Sequence, residues 1–311
     1  MRAISQETLG GPEVLSVVER DTPALGPTDV LVRVHAAGVN PTDWLHRKTG
    51  LYLGAPPFVV GWDVSGVVEA VGPGVTVRKP GDEVFGMLDY PRGAGGYAEY
   101  VAAPARNFVP KPAALDHVHA AALPVVALTA WQALVDTADV RPGRRVLIHA
   151  AAGGVGHVAV QIAKARGAYV IGTASAGKHD FVRALGADEV VDYTTTDFAE
   201  ELRDIDVVLD AVGGDYGVRS LRTMRPGGVL VAIVFSGREQ VRALAKEYGV
   251  RVEHLTVEAD HAGMTAIADL VERGLLRVEV DDVLPLEEAA EAQRRGETGR
   301  AAGKLVLRVI D

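Results

Sequence analysis

The chain has 311 residues, 32 Lys+Arg against 41 Asp+Glu for a net charge of −9, 48 % hydrophobic residues and no cysteine. Its length suggests about two domains, its composition is globular rather than disordered, and its acidic balance argues against a nucleic-acid or polybasic membrane binder. Without cysteine there is no disulfide framework and no thiolate metal site or nucleophile. The start, MRAISQETLGG, lacks an apolar signal core. The longest apolar stretch, Ala120–Ala130, is interrupted by Pro124 and is too short to span a bilayer, so the expectation is a soluble cytoplasmic protein.

The first third reads as short strands separated by turns. Val14–Glu19 alternates weakly and Asp29–Ala36 cleanly. Asp63–Val71 ends in Gly72-Pro73-Gly74, Glu83–Met87 follows Pro80-Gly81-Asp82, and Tyr97–Ala102 follows Gly93–Gly96. This spacing suggests a small barrel or a twisted antiparallel sheet. Near residue 120 the pattern changes. Ala120–Thr137 reads as one helix. Arg145–Ala150, Tyr169–Thr173, Glu189–Asp192, Val207–Asp210 and Val229–Phe235 then read as strands, with helices at Val155–Arg166 and His179–Leu185. Strands alternating with helices predict an α/β fold with a parallel sheet covered on both faces. Beyond residue 260 the expected elements are a helix at Ala262–Arg273, a strand near Val278–Val280, a helix at Leu286–Arg295 and a last strand at Lys304–Ile310 that folds back onto the first domain.

The most informative segment joins the strand Arg145–Ala150 to the following helix. Ala151, Gly153 and Gly156 form a variant of G-x-G-x-x-G in which alanine replaces the first glycine. Gly153 lets backbone approach a pyrophosphate, and Gly156 permits close helix–strand packing. The amides of Ala152, Gly153, Gly154, Val155 and Gly156 would then face the anion at a helix N-terminus. The strand–turn–helix context is what gives such a motif its meaning. A dinucleotide site selective for NAD presents a carboxylate at the end of the second strand, to hold the ribose 2′-hydroxyl. Here Thr173 is followed by Ser175 and Lys178, and no carboxylate appears before Asp180. A hydroxyl and a cation suit a 2′-phosphate, so the expected cofactor is NADPH.

Several segments in order strengthen this reading: Gly38-Val39-Asn40-Pro41-Thr42-Asp43, Pro57–Gly66, Gly81–Gly86, Gly95–Tyr100, Leu128–Trp131, Leu185–Asp188, Asp210–Gly214 and Gly303–Leu307. With them the chain resembles the zinc-independent, quinone oxidoreductase branch of the medium-chain dehydrogenase/reductase superfamily. The resemblance implies a doubly wound Rossmann sheet plus a GroES-like, partly open β-barrel. The implied domains are a catalytic one at 1–120, an NADP-binding one at 121–260 and a return to the catalytic domain at 261–311, with the active site in the cleft between domains. It also implies a homodimer formed through the edge of the cofactor-domain sheet. Val229–Phe235 is the candidate edge, though so apolar a run equally fits an interior strand. Zinc-dependent relatives carry cysteine and Gly-His-Glu where this chain has Asn40 and Gly61-Trp62-Asp63.

Chemistry without a metal remains open to a conjugated acceptor. A quinone or an α,β-unsaturated carbonyl takes a hydride while hydrogen-bond donors hold the oxygen that gains charge. By resemblance, Tyr52 and Asn40 line the catalytic cleft. Tyr52 could donate a hydrogen bond or proton, and Asn40 could position the nicotinamide ribose or the substrate. Thr129 matches a position beside the nicotinamide, Tyr193 one near the adenine ribose or 2′-phosphate, although a half-buried strand aromatic is an equal reading, and Lys304 one near the cofactor cleft, although a solvated lysine at a strand start is an equal reading. Phe235, at the end of its strand, is a further candidate cofactor contact. Asp43 reads as structural, holding a loop. His117 and His119 form an H-x-H pair without a third ligand at suitable spacing, and His149 reads as packing. Gly50–Gly54 followed by two prolines suggests an apolar wall and hence a flat hydrophobic acceptor. The leading expectation is an NADPH-dependent reductase of a small quinone or enone. The alternatives are a pathway-specific enoyl or tailoring reductase, and an NADPH-binding sensor or structural protein with little turnover.

Overall fold

The computed structural model describes residues 1–91 and 93–310. In chain order the first elements are β1 (Arg2–Gln6), β2 (Ser16–Glu19), β3 (Asp29–Val39), α1 (Pro41–Thr49), β4 (Phe58–Val59), β5 (Asp63–Val71), β6 (Glu83–Met87), β7 (Tyr100–Pro104), β8 (Phe108–Pro110), α2 (His117–Ala121) and α3 (Pro124–Trp131). Next come β9 (Arg145–Ile148), α4 (Gly154–Ala165), β10 (Tyr169–Ala174), α5 (His179–Ala184), β11 (Glu189–Asp192), α6 (Phe198–Glu201), β12 (Ile205–Asp210), α7 (Tyr216–Leu221), β13 (Met224–Ala232), α8 (Arg238–Ala245) and β14 (Arg251–His254). The chain ends with α9 (His261–Glu272), β15 (Val280–Pro285), α10 (Ala289–Glu297) and β16 (Lys304–Arg308).

These elements form two units. The first comprises Met1–Leu128, Glu258–Gly274 and the chain from Val278 onward; the second comprises Thr129–Val257 and Leu275–Arg277. The first unit holds the small sheet β2-β1-β4 and a larger one ordered β15-β16-β3-β5-β6-β8, with β7 also paired to β3. All its pairings are antiparallel except β15 with β16. In β3, Val30, Val32 and Val34 are fully buried and alternate with less buried neighbours, as a strand with one face on a core requires. The C-terminal strand β16 pairs with β3 through Leu305↔Val39 and Leu307↔Ala37, which ties the end of the chain into the sheet of the first unit.

The second unit is a mixed α/β body around one parallel sheet, ordered β11-β10-β9-β12-β13-β14. Strand order reverses between β9 and β12, the switch point where doubly wound sheets take ligands. Its core includes Leu147, Ile171, Phe198, Val208, Leu221 and Leu230.

The structure corrects several expectations. The helix expected over Ala120–Thr137 is α2, a break, α3 and a π-helical turn at Gln132–Thr137. Proline disfavours helical backbone at the residue before it but serves well in a first helical turn, so Pro124 ends one helix and starts the next. Val229–Phe235 is not the sheet edge: β13 stops at Ala232 and lies inside, covered by β14, and Phe235 sits in the bend beyond it. The strand near Val278–Val280 is displaced to β15. α1 was passed over although Asn40, Pro41 and Asp43 occupy the cap, first and third positions of a helix start. No helix among the described residues is long and apolar enough to cross a membrane.

Candidate active site

In the second unit the chain leaves β9 and turns into α4 through Ala150, whose φ of +51° is rare outside glycine. Gly153 caps α4 in an extended conformation. The first bond of the helical ladder runs from the His157 N–H to the Gly153 carbonyl at 3.0 Å. The amides of Gly154, Val155 and Gly156 precede that ladder and present the positive end of the helix. Three glycine positions explain the local shape. A Cβ on Gly156 would lie 2.1 Å from the Ala150 carbonyl oxygen and 2.8 Å from the Ala151 Cα, so a side chain there would push α4 off the turn. A Cβ on Gly153 would meet the Ala150 oxygen at 3.2 Å and the Ala150 Cβ at 4.0 Å, and nothing else within 4 Å. Gly172 on β10 explains how alanine can replace the motif's first glycine: a Cβ on Gly172 would stand 2.8 Å from the Ala151 Cβ, so its absence makes room for that methyl. The turn thus has an open backbone face and a row of helix-start amides, which fits the diphosphate of a dinucleotide.

The neighbouring strand ends hold the other sequence candidates of this unit. Thr173 is buried in β10, its carbonyl accepting the Ala151 N–H and its hydroxyl 3.2 Å from His149 Nδ1. His149 is itself fully buried, with Nε2 2.8 Å from Ser220 Oγ; burial, and then the Arg219 charge, push its pKa down to about 3, so it is a neutral packing group. Ser175 caps the short turn Ala176–Lys178, and Tyr193 is half exposed beyond β11. One carboxylate escaped the sequence reading. Asp192 stands opposite Ala174 in the parallel register of β10 and β11, and its Oδ1 accepts from the Thr194 amide and hydroxyl. The signal lay in the second neighbouring strand, not in the linear spacing along the first. Thr129 is nearly buried in α3. Phe235 is exposed, with the Arg238 guanidinium 4.1 Å over its ring, and borders a groove of about 800 Å³ with Ser236, Arg242 and His254.

In the first unit a buried polar cluster surrounds the start of α1. The Asn40 amide donates to Asp63 Oδ2 at 2.7 Å, and its carbonyl oxygen accepts from Lys304. Lys304 is 2 % exposed, donates to the Val39 carbonyl at 2.7 Å and lies 3.6 Å from Asp63, so the solvated reading of this lysine is overturned. Asp63 also accepts the Val125 amide at 2.6 Å. Burial pushes the Asp63 carboxyl up and the Lys304 ammonium down; the attraction between them opposes both shifts, and the Asn40 and Val125 donors oppose that of Asp63. Asp43 caps α1: its Oδ2 accepts from the Asn40 N–H at 2.7 Å and the Tyr97 hydroxyl at 2.8 Å. Burial raises it to about 7 against those bonds. Where zinc-dependent relatives place ligands, this chain therefore builds an amide, a carboxylate and an ammonium already satisfied by one another. His117 and His119 diverge, the former stacked on His35 and bonded to Ser65, the latter capping with Asp116. Among the described residues no three His, Cys, Asp or Glu side chains are grouped to hold a metal.

Tyr52 lies in the same unit, 45 % exposed, beside His46 and Tyr90. Of the sequence candidates the structure brings Asn40 and Lys304 into contact. Asp63, Tyr97, His46 and Trp62 were missed as neighbours because they come from different strands and helices.

Comparison with known proteins accords with this geometry. A family model described as an alcohol dehydrogenase GroES-like domain matches residues 26–113, and one described as a zinc-binding dehydrogenase matches residues 185–307. A 2-haloacrylate reductase from Burkholderia sp is 38 % identical over 323 residues, covering 96 % of each chain. The solved quinone oxidoreductase of Coxiella burnetii superposes with a TM-score of 0.94 at 36 % identity, over 100 % of this chain and 99 % of that one. The Escherichia coli quinone oxidoreductase, solved with NADPH, gives 0.89 at 29 % identity over 99 % and 100 %. The chain is therefore an oxidoreductase and belongs to the medium-chain dehydrogenase/reductase superfamily, in its quinone oxidoreductase branch.

Proposed function

We propose that the protein is a cytoplasmic, homodimeric, zinc-independent reductase that uses NADPH to reduce a quinone or an α,β-unsaturated carbonyl. The observation that carries the reading is the β9–α4 turn, where a Cβ on Gly153 would meet little and the Gly154, Val155 and Gly156 amides precede the first bond of the helix. When bound there, NADPH supplies a hydride; with one proton it turns a quinone into a hydroquinone, or an activated C=C into C–C, leaving NADP⁺. The amides and the helix dipole hold the diphosphate. Ser175 and Lys178 take the 2′-phosphate, while the Asp192 charge works against it and sets how strongly NADPH is preferred. Thr129, Tyr193 and Phe235 are the remaining proposed contacts, and Thr173 contributes through its backbone.

Tyr52 is the proposed donor to the acceptor oxygen. Both ends of the Asn40 side-chain amide are committed to Asp63 and Lys304. In this reading Asn40 and Lys304 act as positioning residues that fix the β3–α1 junction. The same committed cluster supports chemistry without zinc. The Burkholderia relative, named for a haloacrylate, favours a carbon–carbon double bond as well as a quinone among the acceptors.

The test combines binding and turnover. NADPH should bind more tightly than NADH, Lys178→Ala should cost about tenfold in NADPH affinity with little change for NADH, and Asp192→Asn should widen the preference. Equal affinities in the wild type refute the NADPH assignment. Loss of the nicotinamide absorption (at about 340 nm) should follow addition of quinones or enones from a panel that also includes aldehydes. Tight cofactor binding with no acceptor-dependent oxidation would instead mark a sensor or structural protein.

A further inference from the structure

Tyr52 belongs to a cluster of four rings in the first unit, with His46, Trp62 and Tyr90. His46 and Trp62 have ring centroids 4.8 Å apart; Tyr90 stands edge-on to Trp62 at 5.3 Å and to His46 at 5.8 Å; Tyr52 lies 5.7 Å from His46 and 6.3 Å from Tyr90. The inner two rings are fully buried, while Tyr52 and Tyr90 form the outward side. Two polar atoms in the inner pair are orphaned. His46 Nε2 and Trp62 Nε1 are buried and make no hydrogen bond among the described residues. Their chemistry is complementary. His46 Nδ1 lies 2.7 Å from the Thr42 carbonyl, which can only accept, so Nδ1 carries the proton and Nε2 presents a lone pair. Burial lowers the pKa of this histidine and keeps it in that neutral form. Indole Nε1–H can only donate. Orphaned buried polar atoms are costly and uncommon, and here an acceptor and a donor occur on touching rings.

We propose that His46 Nε2 and Trp62 Nε1–H form an acceptor–donor pair that selects a hydroxyl group on the substrate, one O–H donating to His46 while its oxygen accepts from Trp62. The inference rests on the reductase reading and adds to it a substrate class: a flat, conjugated acceptor bearing a hydroxyl substituent. Tyr52 and Tyr90, on the outward side of the pair, offer aromatic faces that suit such a flat ring. An acceptor lacking the hydroxyl leaves both nitrogens unpaired. Sites built to bond a substrate hydroxyl discriminate strongly against the analogue without it.

The experiment compares two nearly isosteric acceptors, 2-(hydroxymethyl)-1,4-benzoquinone and 2-ethyl-1,4-benzoquinone. The readout is the ratio of their kcat/KM values in the wild type, His46→Leu, His46→Gln and Trp62→Phe. A ratio taken within one protein cancels any general loss of activity. The ratio should fall about tenfold in His46→Leu and Trp62→Phe and recover in His46→Gln, whose side-chain amide restores an acceptor. A second arm measures Kd for 3-hydroxybenzyl alcohol and 3-ethylphenol, which are not reduced. Wild type should favour the hydroxymethyl compound by about tenfold, and the variants should lose that preference. If neither quinone is turned over, the reductase reading is decided by the enones of the wider panel, and the binding arm still decides the pair. Equal wild-type affinities in that arm, or ratios that do not move in the variants, overturn the proposal. The wild-type comparison stands even if a variant does not fold.

Discussion

Asp43 is buried against the Tyr97 hydroxyl and the Asn40 amide, and burial lifts its pKa from an ordinary 3.8 to about 7. The folded form therefore holds a proton that the unfolded chain has already released across this interval. Stability from this group is fully present below about pH 4, declines as pH rises towards 7 and is gone above it, with a slope of at most about 1.4 kcal/mol per pH unit. Asp43→Asn should flatten this part of the profile. Urea unfolding of both proteins from pH 4 to 8 measures it, and parallel profiles would show that Asp43 stays ionised throughout. The structural role of Asp43 was legible from its place after Asn40-Pro41. Its proton was not, because the burial that holds it, against the pull of Tyr97 and Lys304, comes only with the tertiary fold. The same reason hid the Lys304 contact with Asn40, 264 residues away in sequence.

At the level of elements, two glycines of one turn make opposite predictions. Gly156→Ala puts a methyl 2.1 Å from a backbone oxygen, so α4 must move away from the turn after β9. The variant should lose roughly 1–3 kcal/mol of stability, a typical cost of overpacking, and lose cofactor affinity with it. Gly153→Ala meets only the Ala150 oxygen, at 3.2 Å, and the Ala150 Cβ, at 4.0 Å, and its φ of −82° suits any residue. That variant should melt near the wild-type temperature yet bind NADPH more weakly, because its methyl occupies the open face. Thermal melts paired with NADPH titrations separate the two cases, and unchanged affinity in Gly153→Ala would remove the diphosphate from this turn. The turn was readable because its glycines, strand and helix are adjacent in sequence. β5, β6 and β11 were readable to the residue because turn signals bound them on both sides. β14 was not: RVEH is short and polar, and becomes a strand only because β13 offers it a partner.

For the whole molecule, the parallel sheet followed from the alternation of strand and helix, and the returning C-terminal strand from the family resemblance. Which strand lies at the edge depended on β14, and this moves the proposed dimer contact. β14 is the last strand on its side of the parallel sheet, so one row of its backbone groups has no partner within the sheet, an arrangement that favours pairing with a second copy. The Leu255 N–H bonds to the Ala232 carbonyl, facing β13. With a two-residue period the amides of Arg251 and Glu253 face the same way, and those of Val252 and His254 face out. His254→Pro removes one outward amide while leaving the Val229–Glu253 part of the ladder in place, and proline is tolerated at such edge positions. Sedimentation should give the wild type twice the 32.8 kDa chain mass and the variant a single chain mass, with the parallel sheet intact by circular dichroism. A variant that still sediments as a dimer would move the interface off β14, and a wild type at one chain mass would remove the dimer.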